Sequence, residues 1–353
     1  GCDNEQRQAP PPWSLTVPAP LTVTCLVDEA TVASDDPGFR HMPDKPNAEY
    51  CVVDALRALG HEVHIVAATD DVEALVRELL DRRPDVVFNL TELFRWDRRL
   101  DANVAGLLEM IDVPFTGTGP VGLMLARNKA LSKHILRSRR IRVPGFTVLY
   151  PGKRARIPRA LRYPMVVKPL MADGSDGISN ASLVHAHDEL LQRAAHVHQR
   201  FNQPAIAEEY IDGREVYVGI TGTARLHVLP PRELFFGRAD EGGPVLATYK
   251  LKWDDTYQQR WRIRFGHGEM EPALARRVHA LCKRAYRTLQ LRDYGRIDLR
   301  ITDDHQVYVI EVNPNPNLAH DDELAQAGDR AGIPYTTLIA GILRHARRRK
   351  ARG

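Results

Sequence analysis

At 353 residues the chain is too long for one small hydrophobic core and suits two or three packed domains. Hydrophobic residues make up 43% and charged residues 27%, an ordinary soluble globular balance, and no apolar run approaches the roughly 18 residues a membrane-spanning helix needs, so no membrane partner is expected. The net charge of +4 is concentrated in residues 344–352 (RHARRRKAR), with neither interleaved aromatics nor a recognisable reader fold, which argues against nucleic acid as a partner; such a run suits the negative end of a terminal helix. The four cysteines (Cys2, Cys25, Cys51, Cys282) lie far apart without a C-x-x-C pair, so reduced thiols and a cytoplasmic setting are expected, not a zinc site or a disulfide framework.

Residues 1–20 are polar and Pro-rich with no apolar core and read as a disordered tail, not a secretory signal. Residues 21–122 then alternate strand and helix: strands are expected over 21–27, 63–67 and 86–90, and helices over 47–59, 72–80 and 102–110. That rhythm predicts an N-terminal α/β domain with a parallel sheet covered on both faces. Residues 123–139 read as one basic helix, after which the texture becomes α+β. Short strands are expected at 146–149, 164–168 and 205–211, with a helix at 188–201, and Asp212-Gly213 reads as a turn into a strand over 215–220. Residues 236–262 lack periodicity, and a structureless stretch of that length inside a domain suggests a lid. A helix over 271–289, a hairpin and two terminal helices complete the chain.

The strongest chemical signal is the hairpin 295–313. Alternation puts Arg296, Asp298 and Arg300 on one face of its first strand, and Glu311 and Asn313 on one face of its second. A two-residue turn at Asp303-Asp304 would set Arg296 across from Glu311, so two carboxylates and an amide oxygen converge beside a guanidinium. Oxygen ligands without His or Cys suit Mg²⁺. An exposed hairpin with cross-strand ion pairs would explain the charges, but not the abrupt Pro314-Asn315-Pro316-Asn317 that follows.

A second signal is Lys168 ending a strand before the small-residue loop Asp173-Gly174-Ser175-Asp176-Gly177-Ile178-Ser179, where backbone N–H groups and a lysine charge could meet a phosphate. A third is Glu208-Glu209-Tyr210-Ile211-Asp212-Gly213-Arg214-Glu215, a strand–turn–strand able to offer backbone groups to an adenine edge and a carboxylate to a ribose. Gly117-Thr118-Gly119-Pro120-Val121-Gly122 matches G-x-G-x-x-G, but it follows the last strand of its sheet and has Arg139-Arg140 where a dinucleotide site needs an acid.

In this order the motifs resemble the ATP-grasp superfamily, and within it the D-alanine–D-alanine ligase-like carboxylate–amine ligases, over roughly residues 85–340. The resemblance implies an ATP-grasp fold: the α/β domain at 21–122, a small central α+β subdomain at 123–212, and a C-terminal α+β subdomain at 213–353 with a lid at 236–262 and the metal hairpin at 295–313. It implies that Lys129 and Lys168 hold ATP phosphates beneath the loop carrying Gly174, Ser175 and Gly177. It further implies that Glu208, Glu209, Tyr210 and Ile211 meet adenine and that Glu215 meets the ribose. Asp298, Glu311 and Asn313 would bind two Mg²⁺ ions (Mn²⁺ as a substitute), Arg296 would steady the transferred phosphate, and Lys252, followed by Trp253, would serve from the lid. The implied partners are a small-molecule carboxylate and amine, and a homodimer is compatible.

The substrate region departs from the family. The acid-bearing Gly-Ser-rich loop that grips the first D-alanine has no counterpart in residues 35–44, where Asp28, Asp44 or Glu49 would have to substitute. Asn317 stands where the family has Gly, and Asp321-Asp322-Glu323 lie near the position of a Ser beside the acceptor carboxylate. Acids there would repel such a carboxylate, which points away from D-Ala–D-Ala as product, although they would equally cap the helix expected at 322–331. A true D-Ala–D-Ala ligase, an ATP-grasp kinase and a non-catalytic ATP-binding module are the alternatives.

Overall fold

Six of the seven residues of strand β1 (Thr22–Asp28) are buried, as expected of a strand covered on both faces. It pairs in parallel with β2 (Glu62–Ala68) and β3 (Val86–Asn89), giving the parallel sheet that the strand–helix rhythm predicts, in the order β2-β1-β3. The computed structural model describes residues 19–32, 36–172, 176–237, 245–248, 251 and 254–350, the side chains of Asp255 and Lys350 excepted. The predicted site residues Gly174, Ser175, Lys252 and Trp253 lie outside the described residues.

The chain divides into two units. The first takes its described residues from 1–90, 108–116 and 317–353, and the second from 91–107 and 117–316. In the first, helix α1 (Ala48–Ala58) starts where the Asn47 side chain accepts from the Tyr50 N–H, and α2 (Val72–Arg82) starts where Asp71 accepts from Ala74. Both bury apolar stripes, Val52 and Leu56 on α1 and Leu75 and Leu79 on α2. Helix α3 (Asp101–Met110) contributes residues to both units.

The second unit holds two further sheets. Instead of the single helix expected over 123–139, it begins with α4 (Pro120–Arg127) and α5 (Lys129–Ser138), split at Asn128, whose extended backbone lets its side chain cap the Leu131 N–H. The four-stranded sheet is antiparallel, in the order β4 (Phe146–Leu149), β7 (Ala205–Glu209), β5 (Met165–Pro169), β6 (Leu183–Val184). Helix α6 (His187–Phe201) covers it with Leu190, Ala194 and Val197.

The six-stranded sheet runs β11 (Arg264–Gly266), β10 (Arg232–Phe235), β8 (Arg214–Thr221), β12 (Tyr294–Ile301), β13 (Val307–Pro314), with β9 (His227–Val228) beside β8. Residues 205–220 therefore do not form the expected hairpin: β7 and β8 belong to different sheets, and residues 210–213 carry the chain from one to the other. Helix α7 (Asp255–Trp261) lies within the stretch expected to be structureless, with Tyr257 and Trp261 packed on Tyr217 and Leu251. Helix α8 (Pro272–Thr288) buries Leu274, Val278, Cys282 and Tyr286 against β8 and β12. Helices α9 (Glu323–Arg330) and α10 (Tyr335–Lys350) belong to the first unit, where α10 packs on α1 and β3. No helix among the described residues is long and apolar enough to cross a membrane.

His61 ties the entry of β1 to the start of β2: its Nδ1 accepts from the Leu21 N–H at 3.2 Å, and burial pushes the imidazole below its ordinary value of 6.5. The unfolded chain thus takes up a proton more readily than the folded one, so this contribution is whole above about pH 6.5 and is lost as pH falls through the lowered native value. Thermal melts between pH 7.5 and 5 should show that decline in the wild type and a shallower one in H61Q.

Candidate active site

The site grows from the β12–β13 hairpin. Its loop is one residue longer than the expected two-residue turn: His305 adopts a left-handed conformation (φ 62°), and its N–H closes onto the Thr302 carbonyl. A one-residue lengthening alone would turn every side chain of β13 to the opposite face relative to β12. A bulge beside Asp298 and Leu299 adds a second slip, because Leu299 pairs with Val309 while Asp298 pairs with Glu311. The two slips cancel in parity. The expected face is kept, but the expected pairing is corrected by two residues: Asp298 sits directly across from Glu311, and Arg296 across from Asn313 rather than Glu311. Arg296 grips Asp298 with two hydrogen bonds, Nε to Oδ1 at 2.7 Å and Nη2 to Oδ2 at 3.1 Å.

Helix α5 brings the cations. Lys129, in its first turn, reaches Glu311 Oε1 at 2.6 Å and donates to the Ala172 carbonyl. Burial alone would raise the Glu311 carboxyl, but Lys129 and then Lys168 and Lys133 outweigh it and hold the group at about 2. Lys168, at the end of β5, lies 3.1 Å from Glu208 Oε2, and Lys133 lies 2.9 Å from Glu208 Oε1. Glu208 is only 3% exposed; burial acts to raise it, and the two lysines together bring it below the usual carboxylate range. Lys168, Glu208, Arg296, Asp298, Glu311 and Asn313 line one cavity, together with Glu209, Tyr210, Ile211, Glu215 and Arg300.

The Glu208–Ile211 segment is divided by strand alternation. Glu208 points at the lysines, whereas the Glu209 carboxylate accepts from the Arg162 and Gly145 N–H groups at 2.9 and 3.2 Å. The N–H groups of Glu209 and Tyr210 donate to the Gly145 and Pro164 carbonyls, so neither is free to meet a ligand. Glu215 accepts from Arg300 at 2.6 Å and from the Tyr217 hydroxyl at 2.7 Å. The buried Arg300 also donates to the Gly213 and Val245 carbonyls.

The glycine motif at residues 117–122 braces the hairpin. Gly117 N–H donates to the buried Asp293 carboxylate just before β12, and Thr118 N–H to Asn315 Oδ1 just after β13. Gly177 lies beside Ser182 and Arg193, both of which donate to its carbonyl. Of the predicted substrate residues, Glu49, Asn317, Asp321 and Asp322 fall in the first unit, and Trp253 lies outside the described residues. Glu49 sits in the first turn of α1 and accepts from Thr31, and Asn317 accepts from the Ala319 N–H. Asp321 is exposed, and Asp322 caps α9 by accepting from the Glu323 N–H. The capping alternative thus describes what Asp322 does here.

Sequence reasoning passed over Lys133 and gave Arg300 no role. Each carried a signal: Lys133 is one helical turn from Lys129, and Arg300 shares its strand face with Arg296 and Asp298.

Comparison with known proteins agrees with this architecture. Residues 142–344 match the family model described as D-ala D-ala ligase C-terminus. An uncharacterized protein, y4sG, of Sinorhizobium fredii is 33% identical over 84% of this chain and 87% of its own length. A D-alanine–D-alanine ligase of Bordetella petrii is 29% identical over 70% of this chain and 72% of its own length. The crystal structure of the Bacillus anthracis D-alanine–D-alanine ligase complexed with ATP superposes with a TM-score of 0.71 at 20% identity, covering 94% of this chain and 99% of that one. The fold is thus ATP-grasp, and the chain belongs to the D-Ala–D-Ala ligase family. In reaction class it is an ATP-dependent ligase that forms a C–N bond.

Gly117 has φ +91°, and a Cβ there would come within 2.6 Å of Asn315 Oδ1. G117A should therefore cost about 1–3 kcal/mol in chemical denaturation, with the strain falling on the bracket that holds the hairpin.

Proposed function

We propose that the chain joins a small-molecule carboxylate to an amine at the expense of ATP, through an acyl phosphate, with substrates other than a pair of D-alanines. The observation that carries this reading is the direct pairing of Asp298 with Glu311 and of Arg296 with Asn313 in a cavity that Lys168 also lines, with Lys129 held on the Glu311 carboxylate behind it. Glu311 and Glu208 there are held ionised by neighbouring lysines, the arrangement expected where bound phosphates and their counter-ions exchange with side-chain charges.

The residues fit Mg²⁺ by donor chemistry. Among the described residues no group of three His, Cys, Asp or Glu side chains is disposed to hold a metal, so the candidate set is two carboxylates and an amide. The Asn313 Nδ2 is buried without a hydrogen-bond partner, an N–H donor available to a phosphate oxygen, while its Oδ1 is the atom that would meet a cation. Asp298, Glu311 and Asn313 would hold the ions, which when bound supply charge neutralisation at the phosphates.

The protein's own part is positioning. Lys129 and Lys168 draw the phosphate chain, and Glu208, with the 208–211 backbone other than the engaged Glu209 and Tyr210 N–H groups, takes the base edge. Glu215 meets the ribose, and Arg296 steadies the phosphoryl group as the substrate carboxylate attacks it. ADP departs; an amine then attacks the acyl carbon and inorganic phosphate leaves. Lys252 and Trp253, from a lid over 236–262, would shield the acyl phosphate from water. On this reading residues 123–212 and 213–353 act as the two ATP-grasp lobes. The departures at residues 35–44, Asn317 and Asp321 support a substrate pair unlike that of the named D-Ala–D-Ala relatives.

Glu311→Gln should drop ADP formation below detection while leaving a cooperative melt, and retained turnover would remove the hairpin from the mechanism. ADP release across a panel of carboxylate–amine pairs, with mass spectrometry of the products, should find a pair that outpaces D-alanine alone. Brisk turnover with D-alanine by itself would overturn the substrate assignment.

A further inference from the structure

Two lysines contact the one buried carboxylate of Glu208, and they are not equivalent. Lys168 lines the cavity, and its ammonium stands 3.1 Å from Oε2. Lys133 does not line it; its side chain is 2% exposed, its Nζ is 2.9 Å from Oε1, and it donates to the Ile310 carbonyl at 2.6 Å. Lys133 thus spans from β7 of the four-stranded sheet to β13 of the six-stranded sheet, at the residue before Glu311. An incoming anion can reach Lys168 but not Lys133.

This asymmetry matters for charge. A carboxylate as buried as Glu208 is strongly destabilised when its last cation leaves. If Lys168 were its sole partner, drawing that ammonium to a phosphate would strand Glu208, and anion binding would have to overcome that cost. With Lys133 fixed in place, Lys168 can turn to a phosphate while Glu208 stays paired and oriented. We propose that Lys133 is a positioning residue: the resident counter-ion of Glu208, which frees Lys168 for the nucleotide's phosphates and fixes the Glu208 carboxylate against the base. The inference rests on the nucleotide reading of this cavity and adds a division of labour between the two lysines.

The fixed carboxylate is a pure acceptor, so it favours a base edge that offers an amino group and disfavours one that offers a carbonyl oxygen. The test measures Mg-ATP and Mg-ITP binding by calorimetry, with ADP or IDP release alongside, for wild type, K133M and K133Q, each checked by thermal melting. K133M should weaken ATP binding by about tenfold or more and shrink the ATP-to-ITP preference, because Glu208 then holds Lys168 and loses its set orientation. K133Q, which keeps a donor for the Ile310 carbonyl but no charge, should lose the same preference; it serves as the probe if K133M does not fold. A folded variant with wild-type ATP affinity and an unchanged ATP-to-ITP ratio would overturn the proposal. A wild type that binds neither nucleotide would instead overturn the nucleotide reading itself.

Discussion

Charge compensation in a space shielded from water governs the second unit. Glu208 and Glu311 come from different sheets, and each would be costly to bury alone, on the order of several kcal/mol. Both are neutralised from one face of α5, where Lys129 and Lys133 stand one turn apart. The break at Asn128 is what makes this geometry available. It starts a new helix at Lys129 and turns both ammonium groups toward the strands. A lysine in a helix's first turn opposes the helix dipole by about 0.3–1 kcal/mol, and the ion pair with Glu311 offsets that small penalty.

The same logic explains why so few residues serve both stability and chemistry. The pairs Lys129–Glu311, Lys168–Glu208 and Arg296–Asp298 satisfy charges inside the protein, and each joins a group that would serve a phosphate to one that would serve a base or a cation. On the proposed nucleotide reading, a polyanionic ligand arriving with its own counter-ions would exchange partners with all three pairs at once, and Lys133 would keep Glu208 from being left bare. Neighbouring groups hold the frame around them. Glu209, one residue from Glu208, spends its carboxylate on the amides of Gly145 and Arg162, and Arg300 joins the Gly213 and Val245 carbonyls to Glu215.

Much of this was legible in the sequence, for physical reasons that can be named. Period-two alternation placed Arg296 and Asp298 on one face of their strand and Glu311 and Asn313 on the matching face of theirs, and strand–helix rhythm gave the parallel sheet of the first unit. What escaped was nonlocal or irregular. Nothing in residues 205–220 distinguishes a hairpin from a crossing between two sheets, because both need a turn at Asp212-Gly213. The break at Asn128 was hidden in a run that is helical on either side. The G-x-G-x-x-G segment lacks the acid a dinucleotide site needs, but its bracing role shows only when Asp293 and Asn315, nearly two hundred residues away in sequence, are seen to occupy its amides.

The cancelling slips in the β12–β13 hairpin limit how this region can change. Closing the turn on Asp303-Asp304 alone, with Thr302 across from His305, or straightening the strand at Ile310 alone, would swap the inward and outward rows of β13 and set Ile310 and Val312 where Glu311 and Asn313 now stand. Either change is tolerable only in company with the other. Turn register and strand irregularity therefore form one constraint, and a change that moved the turn by one residue without also removing the bulge would leave a well-paired sheet with its chemistry facing the wrong way.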